Sequence, residues 1–155
     1  RRQRQMCIRD SNNSKSVFIF VGLSLVVGSL ASSNASSDLW YQSLIKSNLN
    51  PPGYIFGIVW PILYFLMSIS AYRTFKSTKN LFFVQLFLNT IWSWLFFSFQ
   101  MPLISLLDIY ILIFLNIIIF IKMLKEDIFS GLIYLPYLIW LMFASYLNIF
   151  IVLNN

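Results

Sequence analysis

Five apolar stretches, each close to the length a helix needs to cross a bilayer, decide what this chain can be. They run over about 16–33 (SVFIFVGLSLVVGSLASS), 52–72, 81–99 (LFFVQLFLNTIWSWLFFSF), 102–121 (PLISLLDIYILIFLNIIIFI) and 130–153 (SGLIYLPYLIWLMFASYLNIFIVL). A hydrocarbon core about 30 Å thick is spanned by about 20 helical residues. Of the 155 residues, 59% are hydrophobic and only 10% are charged, whereas soluble chains carry about 25% charged residues. Water could not accommodate that surface. The prediction is an all-α membrane protein, a five-transmembrane-helix bundle in a lipid bilayer. It forms one domain over 16–155 behind a basic leader, 1–15, expected to be disordered.

The first stretch admits two readings. A basic leader (RRQRQMCIRD), a short apolar run and then small residues (SLASSNASS) also describe a cleaved secretory signal, which would leave four spans. Ser24, Gly28 and Ser32 instead give the small-xxx-small spacing of a span packed closely on a neighbour. Met6 is the expected start, unless the chain is a fragment. Orientation follows from the basic residues. Arg1, Arg2, Arg4, Arg9, Lys15, Arg73, Lys76, Lys79, Lys122 and Lys125 fall on one side of the five spans, against Lys46 alone on the other. The positive-inside rule then puts the amino terminus inside and the carboxyl terminus outside.

The net charge of +6 does not indicate nucleic acid, because these residues sit at span ends where they meet lipid headgroups. There is no histidine, which removes Ser-His, Cys-His and histidine-ligated metal or haem chemistry. The single cysteine, Cys7, cannot form an internal disulfide. Asp108 is the one ionisable residue well inside a span. It lies six residues past Pro102, about 9 Å deep at about 1.5 Å per residue, and is read as a near-interface partner for Lys46 or a neighbouring helix, or as a functional site. One carboxylate argues against a proton-coupled transporter. No nucleophile–base pair, metal cluster or phosphate loop emerges.

Uncharged polar residues carry more information. Gln85, Asn89, Trp92 and Phe96 share a face of the third span, Tyr137, Trp140, Ala144 and Asn148 a face of the fifth, and Gly57, Trp60, Tyr64, Ser68 and Ala71 a face of the second. Lipid cannot satisfy amides, so these faces point inward. Three aromatic-and-amide stripes either line a pocket for a flat, largely apolar ligand or are ordinary packing with amides as interhelical glue. The loop 34–51 stays apolar and aromatic. Ser37 or Asp38 would cap a short interfacial helix carrying Trp40 and Tyr41, read either as a lid or as an interfacial anchor. In the first half of the second span, Gly53 and Gly57 are expected to admit a close neighbour, and Pro61 to kink the helix near Trp60.

Set in order, these pieces form a longer pattern: Trp40-Tyr41, Leu44, Lys46, Pro51-Pro52, Tyr54, Val59-Trp60, Leu63-Tyr64 and Met67; then Gln85-Leu86, Leu88-Asn89, Trp92 and Phe96-Phe97; then Pro136-Tyr137-Leu138, Trp140, Phe143-Ala144 and Leu147-Asn148, with Asp108 between. This pattern resembles the TspO/MBR family of tryptophan-rich sensory and translocator proteins over about 17–155. The resemblance implies a five-helix bundle, often a homodimer, with a cavity open toward the first long loop. It implies binding of porphyrins or other tetrapyrroles, or of sterol-like molecules. The implied ligand-binding set is Tyr54, Trp60, Tyr64, Asn89, Trp92, Trp140 and Ala144, with Trp40 and Tyr41 as lid. It also favours a retained first span.

Two departures matter. Where the family has tryptophan after the double proline, this chain has Tyr54, a poorer electron donor to an excited porphyrin. A light-dependent porphyrin-degrading enzyme, one rival reading, is therefore weakened, while binding is not. No basic residue follows Leu147-Asn148, which weakens a cholesterol-specific reading. Without histidine, metal-free porphyrin held by stacking is the expected ligand; no cofactor or metal is implied. The leading expectation is a binding protein, with a small-molecule transporter as the other rival. Neither a bacterial nor an organellar membrane is favoured.

Overall fold

The structure, a computed structural model, describes residues 16–30 and 39–155. The basic leader, Ser32 and the expected caps Ser37 and Asp38 lie outside the described residues. Six helices follow: α1 (Ser16–Leu30), α2 (Leu39–Ser43), α3 (Gly53–Arg73), α4 (Phe75–Ser93, continued by a π-helical turn over Trp94–Ser98), α5 (Pro102–Glu126) and α6 (Ile128–Asn154).

Four of these, α3 to α6, are long and apolar enough to cross a membrane. The fifth, α1, has 15 described residues, about 22 Å at about 1.5 Å per residue, which is shorter than the hydrocarbon core. The expectation of five full spans is met for four helices. The expected segment ends also fall short: α4 begins six residues before its apolar run, and α5 continues five residues past its run. The apolar run marks what faces lipid, whereas the backbone ladder continues through Lys76, Lys79 and Lys122.

The bundle is polar inside and apolar outside. Gln85, Asn89, Asn116 and Asn148 are buried, while Ile62, Phe65, Phe87, Phe114 and Ile139 are more than half exposed. That arrangement suits a hydrocarbon solvent. Leu63, Tyr64 and Met67 of α3 pack with Phe82 and Leu86 of α4, Ile119 and Met123 of α5, and Tyr134 and Tyr137 of α6. From α1, Val17 and Val21 join this core. About two turns on, Gly28 is also buried, and a Cβ there would stand 3.5 Å from Ser93 Oγ. The small-residue spacing thus gives α1 its face toward α4, where Trp94 Nε1 also donates to the Val27 carbonyl at 3.1 Å.

Gly53 and Gly57 behave otherwise. A Cβ at either would meet nothing within 4 Å, so the close approach expected there is not made within this chain. Helix α3 runs without interruption through Pro61.

At the end of the bundle that holds Arg73 and Asp127 the connections almost vanish. Thr74 alone separates α3 from α4, and Asp127 alone separates α5 from α6. Thr74 Oγ1 donates to the Ser70 carbonyl at 2.9 Å. Asp127 accepts from Phe129 N at 3.3 Å as the cap of α6. It also accepts from Arg73 Nε at 2.7 Å and from Ser130 Oγ at 2.6 Å, tying α3 to α6. Ser77 donates to Glu126 across the same end. So sharp a turn needs Gly131, where a Cβ would lie 2.4 Å from Leu124 Cδ2 and 3.2 Å from the Leu124 Cα.

Two outcomes are expected. Gly131→Val overpacks a site with backbone on one side and destabilises by about 1–3 kcal/mol, read as a lower midpoint of unfolding in detergent; an unchanged midpoint would mean the α5–α6 turn is looser than described. The hydrogen bonds from Arg73 and then Ser130 lower the Asp127 pKa to about 2, below the ordinary value of about 3.9. Its contribution is therefore full above about pH 4 and lost as pH falls from about 4 through 2. Thermal melts across that window should fall for the native chain by more than for Asp127→Asn.

Candidate aromatic cleft under the α2 loop

The three inward stripes converge. Trp60 of α3 meets Trp92 of α4 with ring centroids 6.4 Å apart and Trp140 of α6 at 6.5 Å, edge to face. Trp140 reaches Phe56 at 5.9 Å and Phe143 at 5.5 Å, and Trp92 stacks on Phe96 at 5.6 Å. Such offset and edge contacts suit the ring quadrupoles. One aromatic body thus joins three helices.

A hydrogen-bond chain also links these three helices. Tyr64 Oη donates to Asn89 Oδ1, Asn89 Nδ2 donates to Tyr137 Oη at 2.9 Å, Tyr137 Oη donates to Gln85 Oε1 at 3.0 Å, and Gln85 Nε2 points at Met67 Sδ at 3.2 Å. Asn89, Tyr137 and Gln85 each donate once and accept once, between the donor Tyr64 at one end and the acceptor Met67 at the other. Two further amides fasten α5 to α6. Tyr134 donates to Asn116. Asn148 meets Ser105 Oγ at 2.9 Å, and with its oxygen turned to that hydroxyl its nitrogen donates to the Pro102 carbonyl at 3.0 Å.

Above Trp92, α4 changes pitch. Phe99 N bonds to the Trp94 carbonyl at 2.9 Å and Met101 N to the Leu95 carbonyl at 2.9 Å; Gln100, with φ of 55°, then turns the chain into Pro102. A π-turn of this kind inserts a residue into the helical repeat and re-aims the side chains that follow. Here Phe96 and Phe97 face a small cleft together with Trp92, Tyr41, Asn50 and Phe56, closed on the α6 side by Ala144, Leu147, Asn148 and Ile151. Helix α2 lies over it: Trp40 and Tyr41 contact Phe96 at 6.0 and 6.3 Å, and Tyr41 contacts Phe97 at 5.7 Å. Burial raises the pKa of the Tyr41 hydroxyl, and its hydrogen bond to Asn50 offsets part of that rise. Lys46 sits over the Tyr41 ring at 4.6 Å and donates to the Leu44 carbonyl at 3.3 Å. The loop is latched to α6 by Ser47 with Tyr146 at 2.9 Å and by Asn155, whose amide accepts from Ile45 N at 2.8 Å and donates to Ile45 O at 3.2 Å.

The cleft measures about 40 Å³, against about 300–1,000 Å³ for a pocket that takes a drug-sized ligand. Its own aromatic side chains fill the remainder, and Tyr41, Phe96 and Phe97 must move for a large ligand to enter. Of the residues singled out from sequence, Trp92, Ala144 and the lid residue Tyr41 line the cleft. Trp60 and Trp140 stand in the ring cluster beside it, and Trp40 packs on its wall. Tyr64 and Asn89 belong to the hydrogen-bond chain. Tyr54 is 67% exposed and not in the lining; Phe56, two positions on and so on the other side of α3, takes the place expected for it. The π-turn had no sequence signal, since no glycine or proline marks Trp94–Ser98. Asp108 is buried, and the expected pairing with Lys46 is not made: its Oδ2 and the Trp140 Nε1 have no hydrogen-bond partner.

A polytopic helical membrane protein with an aromatic cleft under a loop helix is the class these features define. The sequence profile of the TspO/MBR family matches residues 16–153. The chain is 39% identical over 127 residues to the tryptophan-rich protein TspO of Archaeoglobus fulgidus, covering 77% of this chain and 82% of that one. It is 36% identical over 149 residues to the tryptophan-rich protein TspO of Chlorobaculum tepidum, covering 87% of this chain and 92% of that one. With protein CrtK of Rhodobacter capsulatus it shares 34% over 125 residues, covering 73% and 76%. The chain belongs to the TspO/MBR family and is an integral membrane protein.

The hydrogen-bond chain predicts that Tyr64→Phe, which strands Asn89 Oδ1, lowers unfolding stability by about 1–2 kcal/mol, between the small net value of interhelical bonds in membranes and the cost of an unpaired acceptor. Denaturation in mixed micelles reads this directly. A neutral substitution would show that Asn89 finds another donor.

Proposed function

We propose that the chain is a membrane-embedded binding protein, rather than an enzyme, for a flat and largely apolar ligand of the tetrapyrrole class. The ligand enters from the outer face under the α2 loop. The observation that carries this reading is the meeting of Trp60, Trp92 and Trp140, from three helices, beside a cleft whose cover is made of side chains instead of helical backbone. Indole faces offer stacking area to a planar ring system, and the large apolar area they would bury is the main source of affinity. The absence of histidine from the sequence favours a metal-free ligand. A sterol is the weaker alternative, since the body of the site is planar aromatic surface. Within this reading α1 is the fifth span, the amino terminus lies inside, and the cleft opens outside, as the asymmetry of basic residues supports.

Quenching of tryptophan fluorescence by protoporphyrin in detergent tests the reading. Trp92→Ala and Trp140→Ala should each weaken binding about tenfold, the loss of one stacking partner and its buried area. Trp94→Phe, whose side chain points to α1, should leave affinity within about twofold. Equal affinity in all four proteins would place the ligand elsewhere.

A further inference from the structure

The cover of the cleft, α2 and the loop after it, is fastened differently on its two sides. Tyr41 and Asn50 both line the cleft, and a hydrogen bond joins them. On the α4 side, the rings of Trp40 and Tyr41 lie against Phe96, and Tyr41 also against Phe97. Phe96 is 4% exposed, so lifting α2 would uncover an aromatic side chain that packing now shields.

On the α6 side the attachments are polar. Asn155, the C-cap of α6, lies four residues beyond the lining residue Ile151, on the same helical face. Its Nδ2 is anchored to the Ile151 carbonyl at 2.9 Å. The same amide takes both backbone groups of Ile45, accepting from N at 2.8 Å and donating to O at 3.2 Å. One side chain thus stands in for the backbone of a neighbouring strand. Two residues on, Ser47 Oγ meets Tyr146 Oη at 2.9 Å and accepts from Leu49 N at 3.2 Å, while the Ser47 carbonyl accepts from Asn50 N at 2.9 Å. Ser47 therefore ties α6 to the turn that places Asn50 in the lining. Ile45 is 57% exposed, and water can replace its bonds to Asn155, because an exposed hydrogen bond has a small net value. Water offers no such replacement for the ring contacts on the α4 side.

We propose that Asn155 and Tyr146 are the latch of a gate. The segment 44–50 lifts off α6 while α2 stays seated on α4 through Trp40, and the cleft opens between Asn50 and its α6 wall. Asn50 then leaves the lining, and Tyr41 loses that hydrogen-bond partner, so its ring can swing aside. The two α6 side chains set how often the cleft is open, and with it the rate of ligand entry. Neither is itself in the lining. The effect on ligand entry rests on the binding function proposed above; the motion does not.

Amide hydrogen exchange of the full chain in detergent, without ligand, tests the motion in the native protein, Asn155→Ala, Tyr146→Phe and Trp40→Ala. Asn155→Ala should quicken exchange at Leu49 and Asn50 about fivefold, the effect of losing the two Ile45 bonds, although neither amide is bonded to Asn155. Tyr146→Phe should quicken the same pair about threefold, and Trp40→Ala less than about twofold. Acceleration confined to the Ile45 amide would make Asn155 a local cap and overturn the proposal. So would a Trp40→Ala effect equal to that of Asn155→Ala, which would mean that α2 and the loop lift together. Faster exchange throughout α3 to α6 in Asn155→Ala would show a loosened bundle and overturn it as well. Stopped-flow quenching by protoporphyrin reads access: association should be about fivefold faster in Asn155→Ala than in the native chain. An unchanged association rate beside faster loop exchange would overturn the gating role and leave the binding reading intact. A native chain that binds no protoporphyrin would remove the tetrapyrrole reading, and the exchange rates then decide the motion by themselves.

Discussion

The chain of hydrogen bonds from Tyr64 through Asn89 and Tyr137 to Gln85 is the interaction on which the rest of the bundle depends. Apolar burial drives soluble helices together, but between helices already in lipid it contributes little, because the tails are as apolar as leucine. What distinguishes the assembled bundle from separated helices is packing and polar satisfaction. Two amides and two phenols on three helices cannot all be satisfied unless α3, α4 and α6 sit in one register. That register brings Trp60, Trp92 and Trp140 into contact one or two turns further out. The aromatic cluster is thus a consequence of the polar core beneath it, and a shift of either α4 or α6 by one residue would break both.

The second constraint is the difference between the two ends. At one end single residues, Thr74 and Asp127, make the turns, side chains cap them, and Gly131 allows α6 to start against Leu124. Little there can open without breaking helical hydrogen bonds. At the opposite end α4 loosens into a π-turn and the long loop to α3 is held by side-chain contacts: Asn155 on Ile45, Ser47 on Tyr146, aromatic edges on Phe96 and Phe97. Such contacts open at lower free energy than helical ladders. A cleft of about 40 Å³ under a cover of this kind is a closed state, and the place where it can expand is set by which of its walls are side chains.

Much of this was legible in the sequence, for physical reasons that differ by feature. Span positions follow from transfer energy, which is a property of composition, so α3 to α6 were located to within a few residues. The ends of α4 and α5 were not, because helix termini obey the backbone and its caps while hydropathy reports only the solvent. The inward faces of Gln85–Asn89–Trp92 and Tyr137–Trp140–Ala144 were legible because lipid penalises an amide at any other azimuth. Whether an inward residue lines a cavity or fills a core was not, since both environments accept the same side chains: Tyr64 and Asn89 proved to be core, and Trp92 and Ala144 lining. Tyr54 shows the limit of motif position, as its direction depends on where α3 begins its turn after Pro52. The π-turn at Trp94–Ser98 left no composition signal, because it arises from the fit of α4 between its neighbours.

The departure at Tyr54 also changes meaning once its place is known. From sequence, a tyrosine in place of tryptophan removed an indole from the site. In the structure the side chain at 54 is exposed, while Trp92 lines the cleft and Trp60 and Trp140 stand in the ring cluster beside it. The same logic applies to Asp108. A carboxyl about 9 Å into a span was expected to find a cation near the interface, yet Lys46 is engaged with Tyr41 and the Leu44 carbonyl. With Lys46 engaged there, Asp108 Oδ2 is left buried without a hydrogen-bond partner.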